Sequence, residues 1–362
     1  MSAQVTSTSA TDIQTNQPVR LTQFSHGGGC GCKIAPGVLE QILGQSSIAS
    51  ILPKELLVGI ETSDDAAVYR INDTQAIVAT TDFFMPIVDD PFDFGAIAAT
   101  NAISDIYAMG ARPLFALALV GMPVNQLPLS VIRKILEGGE SICARAGIPI
   151  AGGHTIDSVE PIYGLVAIGI ADPKKIKRNA DARDGDRLIL GKPLGVGIYS
   201  AAMKKQLLSA EHYQLFVEMT TKLNTPGPRL AEIDGVHALT DVTGFGLLGH
   251  LLEICKGSKL GATIDFSRLP ILPDALAIAA QGSFTGASAR NWAGYGSRVT
   301  MGVGLSEIEQ TLLTDPQTSG GLLVSCADSA VERVMEVFEE EGFELATVIG
   351  EMHAGEPQVV VN

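Results

Sequence analysis

The stretch with the most obvious capacity for chemistry lies near the N-terminus, where residues 25–33 read SHGGGCGCK. Cys30 and Cys32 supply thiols, which are soft nucleophiles as thiolates, and a nearby cation favours the ionised form. Lys33 is a point charge suited to phosphate. Because glycine lacks a Cβ atom, this backbone can approach an anion closely. The composition predicts a flexible lid, named here the glycine–cysteine segment, that brings sulfur or selenium chemistry to a phosphate.

Other interpretations of this segment stay open from the residues alone. With His26 the two cysteines would form part of a zinc site, although no convincing second pair of ligands follows. The C-x-C spacing differs from the C-x-x-C of thioredoxin-like redox sites. A disordered tail with incidental thiols is the simplest alternative. Among the other histidines, His154 is the best functional candidate, because it follows two glycines at the end of a predicted strand.

Aspartates that flank the ends of predicted strands and helices form the second set of candidates: Asp64, Asp65, Asp82, Asp105 and Asp241. Asn101 precedes Asp105 by four residues and shares its helix face. Taken singly, each aspartate is also typical of a helix cap or a turn. Taken together, hard oxygen ligands in this number suit Mg²⁺, which commonly bridges carboxylates to nucleotide phosphates.

Residues 244–249 match the pattern G-x-G-x-x-G between a predicted strand and a predicted helix. Asp265 lies near the distance at which an acid binds ribose in dinucleotide-binding units. A dinucleotide site is therefore an alternative, although the preceding strand is short and ends on polar residues. The P-loop pattern is absent, because Lys33 follows Cys32 rather than a glycine.

Hydrophobic periodicity and the positions of glycine and proline predict the elements that carry these residues. In the first half we expect strands over 75–80, 114–120 and 163–170, and helices over 37–43, 92–109 and 130–146. A strand over 148–151 should end in a turn at 152–155. In the second half, a strand leads through 238–246 into a helix over 247–255, and residues 281–300 form a loop. Ser329 and Glu332 have the spacing of a capping box for the last helix.

Length and composition limit the class of protein. The 362 residues are 46% hydrophobic and 18% charged, which indicates a globular chain of two domains. A net charge of −15 makes nucleic acid and anionic membranes poor partners. The cysteines number five and lack a disulfide-framework spacing, which favours a reducing cytoplasm. We find no apolar core of a signal peptide in residues 1–20, and the longest apolar stretch is too short to span a bilayer.

Together these residues resemble the selenophosphate synthetases, a family of the aminoimidazole-ribonucleotide-synthetase-like ATP-binding superfamily. The resemblance runs from Leu21 almost to the C-terminus. Motifs of the wider superfamily lie at 64–67 (DDAA), 80–82 (TTD), 101–110, 152–154 (GGH) and 240–244 (TDVTG). The glycine–cysteine segment is similar only to that of the selenophosphate synthetases. There Cys30 matches the position of the family's cysteine or selenocysteine, and Lys33 matches its essential lysine.

The resemblance implies a two-domain α+β fold whose N-terminal halves pair, in a homodimer, into a β-barrel-like sheet. We place the domain boundary at the charged and polar run 174–187. The units are then a flexible tail with a glycine-rich lid over 1–47, an ATP-binding and dimerisation domain over 48–173, and a C-terminal α+β domain over 174–362. The implied reaction converts ATP, selenide and water into selenophosphate, AMP and phosphate, and supplies activated selenium for selenocysteine and tRNA. The resemblance also allows a monovalent cation and a selenium-delivery protein.

The same resemblance assigns roles to individual residues. Cys30 handles selenium and Lys33 closes over the phosphates, while Asp65, Asp105 and Asp241 hold Mg²⁺. The implied ATP-binding residues are Lys33, Thr62, Ser63, Asp64, Asp82, Asp105, Gly153, His154 and Thr155. Of these, residues 153–155 are supplied either by the same chain or by a partner subunit. Two competing functions are another ATP-dependent kinase or synthetase of the superfamily and a non-enzymatic selenium carrier. The first needs no mobile thiol, and the second needs no set of carboxylates.

Overall fold

The computed structural model describes residues 19–33, 42, 53–59 and 64–362. The predicted helix over 37–43, apart from Ile42, lies outside the described residues, and so do the candidate ATP-binding residues Thr62 and Ser63. Among the helices that are described, none combines the length and the apolar character needed to cross a membrane.

The first half of the chain builds an open six-stranded sheet, counted over the described residues, with the order β1-β2-β3-β6-β4-β5. Its strands are β1 (Leu56–Val58), β2 (Ala67–Arg70), β3 (Ala76–Phe84), β4 (Arg112–Met122), β5 (Ile150–Asp157) and β6 (Ile162–Ala171). Strands β4 and β5 run parallel and the other neighbours run antiparallel. Because β5 lies at an edge, the sheet of one chain remains open and does not close into a barrel.

Two helices, α1 (Pro91–Ala108) and α2 (Leu129–Arg145), pack together against this sheet. Helix α1 begins with a proline, and the carboxylate of Asp90 accepts a hydrogen bond from the Asp93 N–H, which caps the helix start. A Cβ atom on Gly95 would lie 1.8 Å from the Ile135 carbonyl oxygen, so this glycine permits the close crossing of the helices. Helix α1 also contacts the second half of the chain, which places its polar residues at the junction.

The second half builds a seven-stranded sheet among the described residues, in the order β10-β13-β9-β12-β7-β11-β8. Its strands are β7 (Arg187–Leu190), β8 (Val236–Asp241), β9 (Gly261–Ile264), β10 (Val299–Met301), β11 (Leu322–Cys326), β12 (Thr347–His353) and β13 (Val359–Val361). Strand β8 lies at the edge, and its last residue contacts α1 through a hydrogen bond from Ser104. This contact joins the edge of the second sheet to the central helix of the first half.

Helices flank the second sheet: α3 (Val196–Lys204), α4 (Ala210–Thr220), α5 (Pro226–Ala231), α6 (Gly246–Ser258), α7 (Ala275–Ala280), α8 (Gly286–Tyr295), α9 (Glu307–Leu313) and α10 (Val331–Glu340). The sheets are joined by residues 172–186, between the end of β6 and the start of β7. Buried side chains from both halves belong to one continuous core. The predicted α+β class is confirmed.

Two local predictions for the second half are wrong. Residues 281–300 contain helix α8, whose buried face consists mainly of small and polar residues: Ala287, Ser288, Asn291 and Tyr295. Their spacing is helical, but a search for apolar periodicity does not detect it. The capping box is formed by Ser306 and Glu309 at the start of α9. At the predicted position, the last helix begins after Ala330 without a side-chain cap.

Candidate active site

A cluster of three carboxylates lies where the two halves of the chain meet. Asp65 precedes β2, Asp105 lies on α1, and Asp241 ends β8. One carboxylate oxygen from each of them lies within 4.8 Å of the others. Asp241 is buried and the other two are half-buried. The structure therefore brings together the three aspartates that the sequence predicts as metal ligands.

Each of these carboxylates accepts a hydrogen bond from a hydroxyl group: Thr240 donates to Asp65 at 2.9 Å, Thr80 to Asp105 at 2.6 Å, and Ser104 to Asp241. These bonds fix the orientation of the carboxylates. The second oxygen of Asp65 is buried and has no hydrogen-bond partner among the described residues. A buried, unpaired carboxylate oxygen is costly, and a cation is the partner that would remove this cost.

The electrostatics of the cluster lead to the same conclusion. Burial raises the pKa of all three carboxyl groups, and the negative charge of Asp241 raises the pKa of Asp65 and Asp105 further, well above their ordinary value. Close like charges disfavour ionisation, whereas a divalent cation favours it. A set of oxygen donors alone suits a hard cation such as Mg²⁺ or Ca²⁺. The residues present therefore fit a divalent metal ion.

The glycine–cysteine segment lies beside this cluster and forms a short 3₁₀ turn over Gly29–Cys32. Gly29 has a φ of 55°, and a Cβ atom there would lie 2.5 Å from side chains on either side, so the turn requires glycine. The turn buries Cys30, whose Sγ donates a hydrogen bond to the Asn101 Oδ1 at 3.1 Å. The Cys30 N–H donates to the hydroxyl of Thr318 at 3.0 Å. Both halves of the chain therefore hold Cys30.

Lys33 and Asp82 form an ion pair next to Cys30. The Lys33 Nζ lies 3.2 Å from the Asp82 Oδ2, which also accepts a hydrogen bond from the Asn101 amide at 2.7 Å. The Lys33 side chain is 41% exposed and can reach solvent or a ligand. Asp82 raises the pKa of Lys33, so the lysine stays charged. This network places a thiol and an ammonium group on one side of the carboxylate cluster.

The protonation state of Cys30 differs from the expected thiolate. Burial raises the pKa of this thiol strongly, and the nearby charge of Lys33 only partly opposes that effect. In this closed arrangement Cys30 is therefore a neutral thiol at neutral pH. The sequence shows the neighbouring lysine but not the burial of the thiol, because this burial depends on contacts with Asn101 and Thr318.

Contacts before the turn fasten the segment to the first half of the chain. Asp89 accepts a hydrogen bond from the Thr22 hydroxyl at 2.6 Å and one from the Arg20 guanidinium at 2.9 Å. The His26 ring lies 3.0 Å from the Glu160 carboxylate. These contacts hold the N-terminal end of the glycine–cysteine segment, and the Lys33–Asp82 ion pair holds its other end.

Comparison with known proteins supports a family assignment. Residues 63–171 match the family described as AIR synthase related protein, N-terminal domain, and residues 183–362 match the C-terminal domain family of the same description. The selenide, water dikinase of Dechloromonas aromatica is 67% identical over 345 residues, which are 95% of this chain and 99% of that protein. The chain belongs to the selenide, water dikinase family. Its relative of the same name in Pseudomonas straminea is 66% identical over 350 residues, 97% of this chain and 98% of the relative.

Solved structures agree on the fold. A thiamine-monophosphate kinase from Stenotrophomonas maltophilia superimposes with a TM-score of 0.62, covering 85% of this chain and 92% of its own. The sequence identity is 21%, so this likeness concerns the fold alone. This chain therefore has the same fold as this kinase.

Some predicted ATP-binding residues of this family member lie away from the cluster. Gly153, His154 and Thr155 are exposed on strand β5, which extends through 150–157 where a turn was predicted. Two strands separate β5 from β3, which places these residues roughly 14 Å from β3 across the sheet. Gly153 is needed there because a Cβ atom would lie 2.1 Å from the Ala118 carbonyl oxygen of β4. In one chain, β5 therefore does not complete the site around Asp82.

Asp64 has a partner in the second half of the chain, since its carboxylate accepts a hydrogen bond from the Asn179 N–H at 2.7 Å. This hydrogen bond connects the residues that precede β2 with the segment 172–186, which joins the two sheets. Asp64 therefore contributes to the junction that supports the cluster, and its predicted contact with ATP stays a prediction.

Sequence reasoning missed polar residues that hold the site. Asn101 was noted only as a neighbour of Asp105, yet it contacts Cys30, Asp82 and the Ser319 N–H. Thr318 accepts a hydrogen bond from the Cys30 N–H and was not among the predicted site residues. The signal available in the sequence was the polar run 314–319, which contains five polar residues and one proline and is almost completely buried. A buried polar run must find hydrogen-bond partners, and a functional site commonly supplies them.

The dinucleotide alternative is wrong. Strand β8, which precedes the glycine pattern, is an edge strand that pairs antiparallel with β11, whereas a dinucleotide-binding unit needs parallel strands. The pattern also has no open groove for a pyrophosphate, because a Cβ atom on Gly244 would lie 3.0 Å from the Cys30 carbonyl oxygen. Gly244 allows the glycine–cysteine segment to pack closely here.

Proposed function

We propose that this chain is a selenide, water dikinase that converts ATP, selenide and water into selenophosphate, AMP and phosphate. One observation carries the proposal: the glycine–cysteine segment places Cys30 and Lys33 beside a cluster of three carboxylates. A kinase without selenium chemistry needs the carboxylates but has no use for a buried thiol on a glycine-rich turn. Relatives that carry the dikinase name match almost the whole chain.

Asp65, Asp105 and Asp241 are the proposed ligands of Mg²⁺. When bound, Mg²⁺ neutralises charge on the triphosphate, which lets a chain with a net charge of −15 hold a polyanion. The hydroxyl groups of Thr80, Thr240 and Ser104 keep the carboxylates oriented. This division of labour between ligands and supporting hydroxyls is common in metal sites.

Lys33 is proposed to bind the transferring phosphoryl group. Its Nζ pairs with Asp82 and its side chain is 41% exposed, so the ammonium group can donate to a phosphate while it stays paired with the buried carboxylate. Asp82, Asp64 and Asp105, together with Thr62 and Ser63, would position ATP. The closed segment would exclude water until selenide has reacted.

Cys30 is proposed to receive selenium when the segment opens. In the closed state the thiol is protonated and donates its hydrogen to Asn101. As a neutral thiol, Cys30 can donate this hydrogen to an incoming hydroselenide anion when the segment moves. Cys30 would then hold selenium through a hydrogen bond, with no sulfur–selenium bond formed and no oxidant needed.

A homodimer would complete the nucleotide site. The proposal rests on β5, an exposed edge strand that carries Gly153, His154 and Thr155. An exposed edge strand is a template for pairing with another chain. Pairing of the N-terminal halves would bring these residues to the ATP of the partner subunit.

Substitution of the two proposed catalytic residues tests the function. Cys30→Ser should abolish selenide-dependent formation of AMP while ATP still binds, and Lys33→Ala should lower kcat by about 10²–10³ because a donor to developing charge is lost. Cys255→Ser is the matched control, since this buried thiol lies in the second half near the Gln358 carbonyl. Full activity of the Cys30 or Lys33 variant, measured as AMP released, would contradict the assigned roles.

A further inference from the structure

A cavity of about 300 Å³ borders the glycine–cysteine segment. Three parts of the chain line this cavity. The glycine–cysteine segment contributes Gly27, Gly28 and Gly31, the end of α3 contributes Lys204 and Lys205, and the start of α8 contributes 285–287 and Arg290. None of the three clustered carboxylates lies in its wall. The cavity is therefore distinct from the candidate metal site, although both adjoin the same segment.

The charge of this cavity is opposite to that of the whole chain. Among the residues that the structure describes, its lining contains Lys204, Lys205 and Arg290 and no aspartate or glutamate, while His26, which also lines it, is paired with Glu160. The chain as a whole carries a net charge of −15. The start of α8 adds to the positive potential, because the first N–H groups of a helix have no partner within the helix. A basic cavity on an acidic protein selects for an anion.

The basic cavity adjoins a smaller one that reaches the thiol. The smaller cavity has a volume of about 10 Å³, and Cys30 and Lys33 line it. The residues Gly31, Ala287 and Arg290 line both cavities. At this junction the Arg290 guanidinium donates a hydrogen bond to the Gly31 carbonyl at 3.0 Å. Movement of one arginine or of the segment would therefore join the basic cavity to Cys30.

We infer that this basic cavity is the access route by which the anionic selenium substrate, hydroselenide, reaches Cys30. The inference rests on the proposed function. The carboxylate cluster and a bound triphosphate would both repel a second anion, so an approach from the metal side is electrostatically opposed. The basic cavity offers an approach from a different side and leads, through the smaller cavity, to the thiol that is proposed to receive selenium.

Charge reversal at the mouth of the cavity tests this route. The double variant Lys204→Glu, Lys205→Glu should lower kcat/KM for hydroselenide by about tenfold at low salt and leave KM for ATP unchanged, because steering of an anion depends on local charge. Raising the ionic strength from about 20 to about 200 mM should weaken steering in the unmodified protein but not in the variant. Arg290→Gln keeps a donor for the Gly31 carbonyl but removes the charge, and should also lower kcat/KM for hydroselenide.

The control is the double variant Arg133→Glu, Lys134→Glu, which makes the same charge change on the exposed face of α2 in the other half. It should keep kcat/KM for hydroselenide within twofold. The inference is overturned if the Lys204, Lys205 variant also stays within twofold, or if both double variants fall equally. It is also overturned if only kcat falls, since that outcome assigns the cavity to product release. Failure of the unmodified protein to form selenophosphate would instead reject the proposed function, and this inference with it.

Discussion

Replacing Asn101 with alanine should loosen the glycine–cysteine segment, because this side chain connects three parts of the site. Its carbonyl oxygen accepts hydrogen bonds from the Cys30 thiol and from the Ser319 N–H, and its amide donates to Asp82. Asn101 is fully buried, so its partners would be left in a region that water reaches poorly. Truncation should therefore favour an open segment.

The magnitude follows from the bonds that hold the segment. The thiol bond holds it directly, and the Ser319 bond holds it through the adjacent Thr318, which accepts from the Cys30 N–H. At about 1 kcal/mol net for each bond, the closed state loses roughly 2 kcal/mol. Since every 1.4 kcal/mol is a factor of ten, the open population should rise about 30-fold.

The rate of alkylation of Cys30 by iodoacetamide, followed by peptide mass mapping, measures this population. When opening is fast relative to modification, the rate is proportional to the open fraction. Thr100→Ala is the matched control, because Thr100 is buried on the same helix but its hydroxyl donates only to the Ala96 carbonyl. A rate for Asn101→Ala within threefold of the unmodified protein would show that Asn101 does not hold the segment closed, as would an equal acceleration by Thr100→Ala.

Three further predictions concern the metal ligands, a buried acid and the edge strand. Asp65→Ala should reduce the rise in melting temperature that Mg²⁺ produces by binding the native state, and an undiminished rise would contradict the metal assignment. Asp315→Asn should flatten the pH dependence of the unfolding free energy. Burial raises the pKa of Asp315 from 3.8 to about 8, so the native state keeps a proton that the unfolded state releases. The contribution of Asp315 to the free energy of unfolding is complete below pH 3.8. As the pH rises from there to about 8, this contribution is lost by up to about 1.4 kcal/mol per pH unit. Urea unfolding at about pH 5 and about pH 7 measures this slope, and equal slopes for both proteins would count against it. Gly153→Ala should destabilise the protein by roughly 1–3 kcal/mol, since its Cβ atom would meet the Ala118 carbonyl, and unchanged thermal unfolding would disprove this contact.

The fold could be predicted largely from local patterns. Helix α1 has a proline at its start and a glycine after its end. The strands that precede and follow it in the chain, β3 and β4, are rich in apolar residues. Helix α8 could not be predicted in this way, because its buried face is formed by small and polar residues. The extension of β5 through 152–155 is not visible in the sequence, since paired glycines are typical of turns, whereas here Gly153 permits close packing against β4.

The candidate site was predictable in its residue types but not in its contacts. The aspartates at 65, 105 and 241 stand out in the sequence because they flank elements, and the structure brings them within 4.8 Å. The partners of Cys30 lie 71 and 288 residues away along the chain, and no local pattern indicates such pairs. These distant contacts bury the thiol and raise its pKa, which keeps it neutral. Because they are not visible in the sequence, the sequence alone favours a thiolate.

The central claim is that this chain transfers a phosphoryl group from ATP to selenium. Phosphorus NMR of the purified protein with ATP, Mg²⁺ and hydroselenide under anaerobic conditions tests it most directly. We expect a new resonance that shows phosphorus–selenium coupling, with AMP and phosphate formed in equal amounts. Accumulation of ADP as the end product, with no phosphorus–selenium resonance, would contradict the account and indicate another kinase of the same architecture.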